Sequence, residues 1–158
     1  MIDTLSFISL NVNGLRNDAS RLDLFAWLKQ SRYDIIFLQD IHFLPSDQAL
    51  WDSQWGAAVV WSPFNAILSL NRAATLSLVD TPLLPDRLLV VTITFPGVAP
   101  LQVASVYVPA QRGERRAFLN SLPDNPSLEL DILAGDINMI ADPSIDKRLV
   151  SQDASLTD

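Results

Sequence analysis

Asp34-Ile35-Ile36-Phe37-Leu38-Gln39-Asp40 is a short apolar run that closes on a carboxylate. Its length and its polar boundaries read as a buried strand. A carboxylate at the end of a buried strand is costly unless a cation or hydrogen-bond donors pair with it. Asp40 is therefore either a ligand or a surface cap for the next segment. The same construction recurs in Asn11-Val12-Asn13-Gly14, Val106-Tyr107-Val108-Pro109 and Ala134-Gly135-Asp136-Ile137-Asn138. Four strand ends would carry an amide, a carboxylate, a phenol and an Asp/Asn pair to one rim. Such oxygen ligands and amides suit a hard divalent cation and a phosphate.

Outward from these stations the chain alternates strands with two clear helices. Ser6 to Asn13 alternates strictly, with Ile8, Leu10 and Val12 on one face and Ser9, Asn11 and Asn13 on the other. Ser20 with Asp23 resembles a capping box, and Leu22, Leu24, Phe25, Trp27 and Leu28 give a helical stripe to about Gln30. A short helix is expected between Ala49 and Ser53. Strands are expected over 57–61, 66–70, 75–79, 88–95 and 101–108, separated by breaks at Pro63, Pro82, Pro85 and Pro96-Gly97. Most links are short enough for antiparallel pairing. A second helix is expected from Gly113 to Leu122, burying Phe118, Leu119 and Leu122, and a last strand from Leu128 to Ala134. The fold class is thus α/β (α+β). Residues 141–158 are polar and weakly patterned, as a loop or frayed tail would be.

Composition frames this as one domain over 1–158. The chain is 49% hydrophobic and 18% charged, enough for one sizeable core. It has no cysteine, which excludes disulfides and thiolate metal sites. No apolar stretch approaches a membrane span, so no membrane partner is expected. The default location is soluble and intracellular, with a nuclear one left open. The net charge of -7 repels polyanions, so a phosphodiester would be handled by a site and not by a broad basic face. The clusters Arg112, Arg115, Arg116 and Lys147-Arg148 read as solvated surface.

Within the stations, Asp136 and Asn138 are two apart, and an extended backbone turns both to one face. Gly135 before them allows close approach of a backbone or ligand. The same residues also make turns, and the local sequence leaves turn and site open. Tyr107 alone is equally a core tyrosine with its hydroxyl satisfied at an edge. Asn11 alone is equally a solvent-facing strand residue.

Taken together and in order, the stations resemble the endonuclease/exonuclease/phosphatase superfamily, the DNase I-like metal-dependent phosphodiesterases. Asn11-Val12-Asn13-Gly14-Leu15-Arg16 is similar to the opening segment of apurinic-type endonuclease domains of non-LTR retrotransposons, and Gln39-Asp40 to the family's Gln-Glu. Tyr107-Val108-Pro109 matches a Tyr-x-Pro segment and Gly135-Asp136-Ile137-Asn138 a Gly-Asp-x-Asn segment. His42 resembles the histidine of the retroelement Gln-Glu-Thr-His form, although surface exposure explains it as well. Asp146-Lys147-Arg148 resembles an Asp-Arg that comes after Gly-Asp-x-Asn in those elements.

The resemblance implies an αββα sandwich of mixed sheets flanked by helices. It implies Mg²⁺, with Mn²⁺ as an alternative, held by Asp40 with Asn11. Asp136 would orient or deprotonate the attacking water, Asn138 would hold a phosphate oxygen, and Tyr107 and Asn11 would contact the phosphate. DNA is the implied substrate. Two departures stand out. Asp40 replaces the family's Glu, one methylene longer, and the closing Ser-Asp-His motif has no counterpart, because His42 is the sole histidine. The expected molecule is therefore an incomplete sandwich, truncated and retroelement-derived. It is either the N-terminal part of a Mg²⁺-dependent endonuclease or an inactive remnant or interaction module. Val90, Thr92 and Val106 are expected to lie on an uncovered apolar sheet face that drives self-association.

Overall fold

A computed structural model describes residues 4–80, 86–122 and 129–139. Among the described residues eight strands form two four-stranded sheets. The first contains β1 (Phe7–Asn11), β2 (Ile35–Gln39), β3 (Val59–Trp61) and β4 (Asn65–Leu68), in the order β1-β2-β4-β3. The second contains β5 (Thr75–Leu78), β6 (Leu88–Thr94), β7 (Leu101–Tyr107) and β8 (Ile132–Asp136), in sequence order. β1 runs parallel to β2 and β7 parallel to β8, while the other pairs are antiparallel. Both sheets are mixed, as the resemblance implies.

The sheets lie face to face, β1 over β8, β2 over β7 and β8, β4 over β6 and β7, and β3 over β5. Between them pack Ile35, Phe37 and Ile67 from one side and Leu89, Val91, Ile93 and Val103 from the other. The far side of the first sheet buries Ile36, Leu38, Ala66 and Leu68 with side chains of α1 (Asp18–Ser31) and α2 (Gln48–Trp55), which a single tight turn at Pro45–Asp47 introduces. The far side of the second buries Leu88, Val90, Ala104 and Val106 beneath Phe118 of α3 (Arg112–Ser121). Both faces of β2 are therefore buried, which explains why it is apolar without alternation.

This arrangement overturns the expected bare face. Val90 is 0% and Val106 2% exposed, Thr92 is half-buried, and α3 supplies the cover. Self-association through that face loses its premise.

Local expectations need smaller corrections. The N-cap of α1 is Asn17, whose side chain accepts from the Ser20 N–H at 2.9 Å, and not Ser20. The buried row is Arg21, Phe25 and Leu28, while Leu22 and Trp27 are each 47% exposed. Arg21 can face inward because it is fully satisfied: it donates to the Leu15 carbonyl at 2.8 Å, Gln54 at 2.8 Å and Asp18 at 2.6 Å, and lies over the Trp51 ring. The last strand begins at Ile132, not Leu128, and continues through Gly135 to Asp136. The expected tail over 141–158, with Asp146, Lys147 and Arg148, lies outside the described residues. No helix among the described residues is long and apolar enough to cross a membrane.

Candidate active site at the strand ends

Two parallel pairs stacked in one sense bring four strand C-termini to one rim. The backbone registers fix them: Asn11 faces Gln39 across β1 and β2, and Tyr107 faces Asp136 across β7 and β8. Across the sandwich, Asn11 Nδ2 donates to Asp136 Oδ2 at 2.7 Å, joining the first strand to the last. Asp136 Oδ1 accepts the Asn138 N–H at 2.9 Å, and Asn138 Nδ2 donates to the Val108 carbonyl at 2.6 Å. Asn138 has φ 47°, so the strand ends at Asp136 and a turn succeeds it.

Asp40 reaches the rim through backbone conformation. Its φ is 60°, and His42 has φ 56°. Left-handed non-glycine residues cost about 1–3 kcal/mol each and persist only where the surroundings enforce them. Here four backbone bonds do so. The Asp40 and Ile41 carbonyls accept from the Gly14 and Leu15 N–H groups, and the Ile41 and Phe43 N–H groups donate to the Phe64 and Pro63 carbonyls. Ile41 and Phe43 thereby return to the core while Asp40, 9% exposed, meets the rim.

The Tyr107 phenol lies near the Asp40 carboxylate, and His42 Nε2 lies 2.9 Å from Asp40 Oδ1. Burial raises the Tyr107 pKa above its ordinary value, and the nearby Asp40 carboxylate raises it further. Arg87 opposes the shift and Asp136 adds to it. Tyr107 is thus a neutral phenol and a donor at neutral pH. Its register opposite Asp136 on β8 joins the Asn11–Asp136–Asn138 cluster to the Asp40 side of the rim. All five expected site residues are brought to one rim.

Other residues complete the site without a signal in the sequence. The Arg87 guanidinium carbon sits 4.4 Å from the Phe64 ring centre and 5.0 Å from that of Tyr107. Arg115, expected as solvated surface, donates to the Asn138 carbonyl at 2.6 Å and so holds the turn. Beneath the rim, Ser9 donates to Gln39, Gln39 to Ser105 and Ser105 to Asn65, at 3.3, 3.0 and 3.1 Å. This chain links three strands of one sheet to β7 of the other.

Among the described residues no three His, Cys, Asp or Glu side chains cluster closely enough to cage a metal ion. The carboxylates of Asp40 and Asp136 beside the Asn11 amide are oxygen donors of the kind that fits Mg²⁺. That ion is commonly held by one or two carboxylates, with water and substrate phosphate filling the other positions.

The sequence profile of the Endonuclease/Exonuclease/phosphatase family matches residues 8–156. The chain is 28% identical over 148 residues to the transposon TX1 uncharacterized 149 kDa protein of Xenopus laevis, covering 87% of this chain and 11% of that protein. Its fold is similar to the endonuclease domain of TRAS1, a telomere-specific non-LTR retrotransposon, with TM-score 0.61, 15% identity, and coverage of 87% of this chain and 62% of that one. It is also similar to TDP2 from Caenorhabditis elegans, with TM-score 0.59, 19% identity, and coverage of 86% and 48%. The chain therefore spans about a tenth of the transposon protein and under two thirds of the TRAS1 domain.

Proposed function

Because the chain belongs to the endonuclease/exonuclease/phosphatase family, we propose that its rim binds a nucleic-acid phosphodiester, DNA first, together with Mg²⁺ or Mn²⁺, as part of a retroelement-type endonuclease. The observation that carries this reading is the 2.7 Å bond from Asn11 to Asp136. It draws residues 125 positions apart into one polar cluster at the strand ends. A purely structural strand end has no need of such a cluster.

In this reading Asp40 holds the ion, with the Asn11 carboxamide oxygen beside it. Bound there, the ion would supply Lewis acidity at the phosphoryl oxygen. Asp136 has one donor on each carboxylate oxygen, which fixes the remaining lone pairs toward the rim for an attacking water. Asn138 spends one amide N–H on Val108 and keeps the other for a phosphate oxygen. With the Asp40 charge engaged, the Tyr107 hydroxyl can turn to the phosphate as charge develops there.

A second reading, binding without turnover, is favoured by His42. It is the sole histidine, and it is bonded to Asp40 rather than placed opposite Asp136 as a second acid or base. The two readings give one experiment. Titration calorimetry with Mn²⁺ should find a single weak site in the parent that Asp40→Asn loses. Equal binding by both proteins would remove Asp40 from the site. The isolated chain should leave supercoiled plasmid and abasic DNA uncut in Mg²⁺ or Mn²⁺. Nicking that Asp136→Ala abolishes would instead establish turnover.

A further inference from the structure

Phe64 belongs to two neighbourhoods. On one it meets Arg87 and, with ring centres 5.7 Å apart, Tyr107. On the other it lines a pocket of about 310 Å³ with Arg16, His42, Phe43, Leu44 and Pro63, which neither Arg87 nor Tyr107 reaches. The His42 ring stands edge-on to Phe64 with centres 5.9 Å apart, and the same histidine bonds Asp40. The pocket thus opens one side chain away from the rim. Its walls are mostly apolar and aromatic, and its cationic group is Arg16, held by Asp47 at 2.8 Å and by the His42 carbonyl at 3.4 Å. Its size lies at the lower end of ordinary small-ligand pockets, roughly 300–1,000 Å³.

We propose that this pocket holds one nucleobase of a single-stranded or locally unpaired nucleic acid, stacked on Phe64, with the adjoining phosphate at the rim beside Asp40. The inference rests on the reading of the rim as a phosphodiester site and adds the form of the substrate. A flat aromatic wall accepts any base by its face, and a base already unpaired enters without the unstacking and unpairing cost that a base inside a duplex must meet first. Overall charge points the same way. A chain of net charge -7 cannot gather nucleic acid by a basic surface, so stacking beside the site must carry much of the affinity. Arg16 is neutralised by Asp47, so Arg87, over the Phe64 ring, supplies the local positive charge for about one phosphate.

Fluorescence anisotropy tests this with a 3′-labelled phosphorothioate hexadeoxyadenylate in Mg²⁺, beside the same backbone made abasic. The parent should bind the base-bearing oligomer more tightly than the abasic one. Phe64→Ala should weaken the former about 5- to 150-fold, the range that loss of one base–aromatic stack implies, and leave the latter unchanged. Phe64→Trp should keep the preference. Leu44→Glu, which alters an exposed wall and no core contact, should also abolish it, so the test survives a misfolded Phe64→Ala. The salt dependence should be shallow, with a log–log slope of about -0.7 for one single-strand phosphate contact. Equal affinity of parent and Leu44→Glu, equal affinity for the two oligomers, or no binding of the base-bearing one would each overturn the pocket. Mn²⁺ binding lost in Asp40→Asn alongside any of those results would keep the rim and discard the pocket. Base-dependent binding without any metal site would do the reverse.

Discussion

Gly135→Ala isolates how the rim is held in register. Gly135 has φ 151°, and a Cβ there would meet the Val106 carbonyl oxygen at 2.0 Å, Val106 Cγ1 at 2.7 Å and the Val106 carbonyl carbon at 2.8 Å. Real Cβ atoms stay beyond about 3 Å from such neighbours, so something must move by an ångström or more. Val106 is the less mobile partner, lying under α3 on β7, an inner strand paired on both sides. β8, at the end of its sheet, is the part that yields. Overpacking costs about 1–3 kcal/mol, and alanine at an unfavourable φ about 1–3 kcal/mol. The sum, about 2–6 kcal/mol, is a large share of a typical domain stability of about 5–15 kcal/mol. Gly97→Ala is the control, since Gly97 has φ 76° and open space around its missing Cβ. It should cost only the conformational part. Urea unfolding followed by tryptophan fluorescence gives both values, and amide exchange over 132–136 shows whether β8 is the strand released. Equal midpoints for the two variants, with β8 amides still protected, would refute the close approach. Asp136 remains in Gly135→Ala, so loss of Mn²⁺ binding there would report geometry alone.

The same contacts set three further outcomes. A double-mutant cycle on Asn11→Ala and Asp136→Ala should show coupling of about 1–3 kcal/mol, as a charge-assisted bond between facing strands implies, and additive urea midpoints would dissolve the link. Arg21→Met should cost about 1–3 kcal/mol, because it leaves the buried Leu15 carbonyl without its donor, and a loss below 1 kcal/mol in thermal unfolding would show that water replaces the guanidinium. Tyr107, raised by burial first and Asp40 second, should titrate above its ordinary value of 10.0 when absorbance near 295 nm is followed in a Tyr33→Phe background. Because the folded-state pKa is raised, its stabilising contribution is complete below pH 10 and disappears as pH climbs through the folded value. Asp40→Asn should shrink the shift without removing it, and an unshifted titration in the parent would contradict the burial.

Legible in the sequence is whatever repeats with a period or closes a run. The apolar run before Asp40, the alternation from Ile8 to Val12 and the glycine before Asp136 each carry a local signature, and each marks a strand end of the rim. Illegible are the features that depend on pairs far apart. Arg21 reads as a polar gap in the stripe of α1, because nothing local shows that Leu15, Gln54 and Trp51 surround it. Val90 and Val106 read as the face of a sheet lacking its partner, because the sequence marks apolar strand faces without saying what covers them, and α3 does. Ser9, Gln39, Asn65 and Ser105 look like weak points in four strands, yet they hydrogen-bond to one another one tier below the rim. The Asn65 amide nitrogen is buried there with no partner among the described residues. An apolar tier of the same shape would avoid that cost of about 1–3 kcal/mol. Hydrophobic faces can slide, whereas a directional chain of side-chain bonds holds only one register. Register is what the rim needs: Asn11 lies two residues after Ser9, Asp40 directly after Gln39, and Tyr107 two after Ser105. A strand shifted by one position would turn any of these side chains away from Asp136. Local rules of strand composition are broken where the fold places charges to within a hydrogen bond.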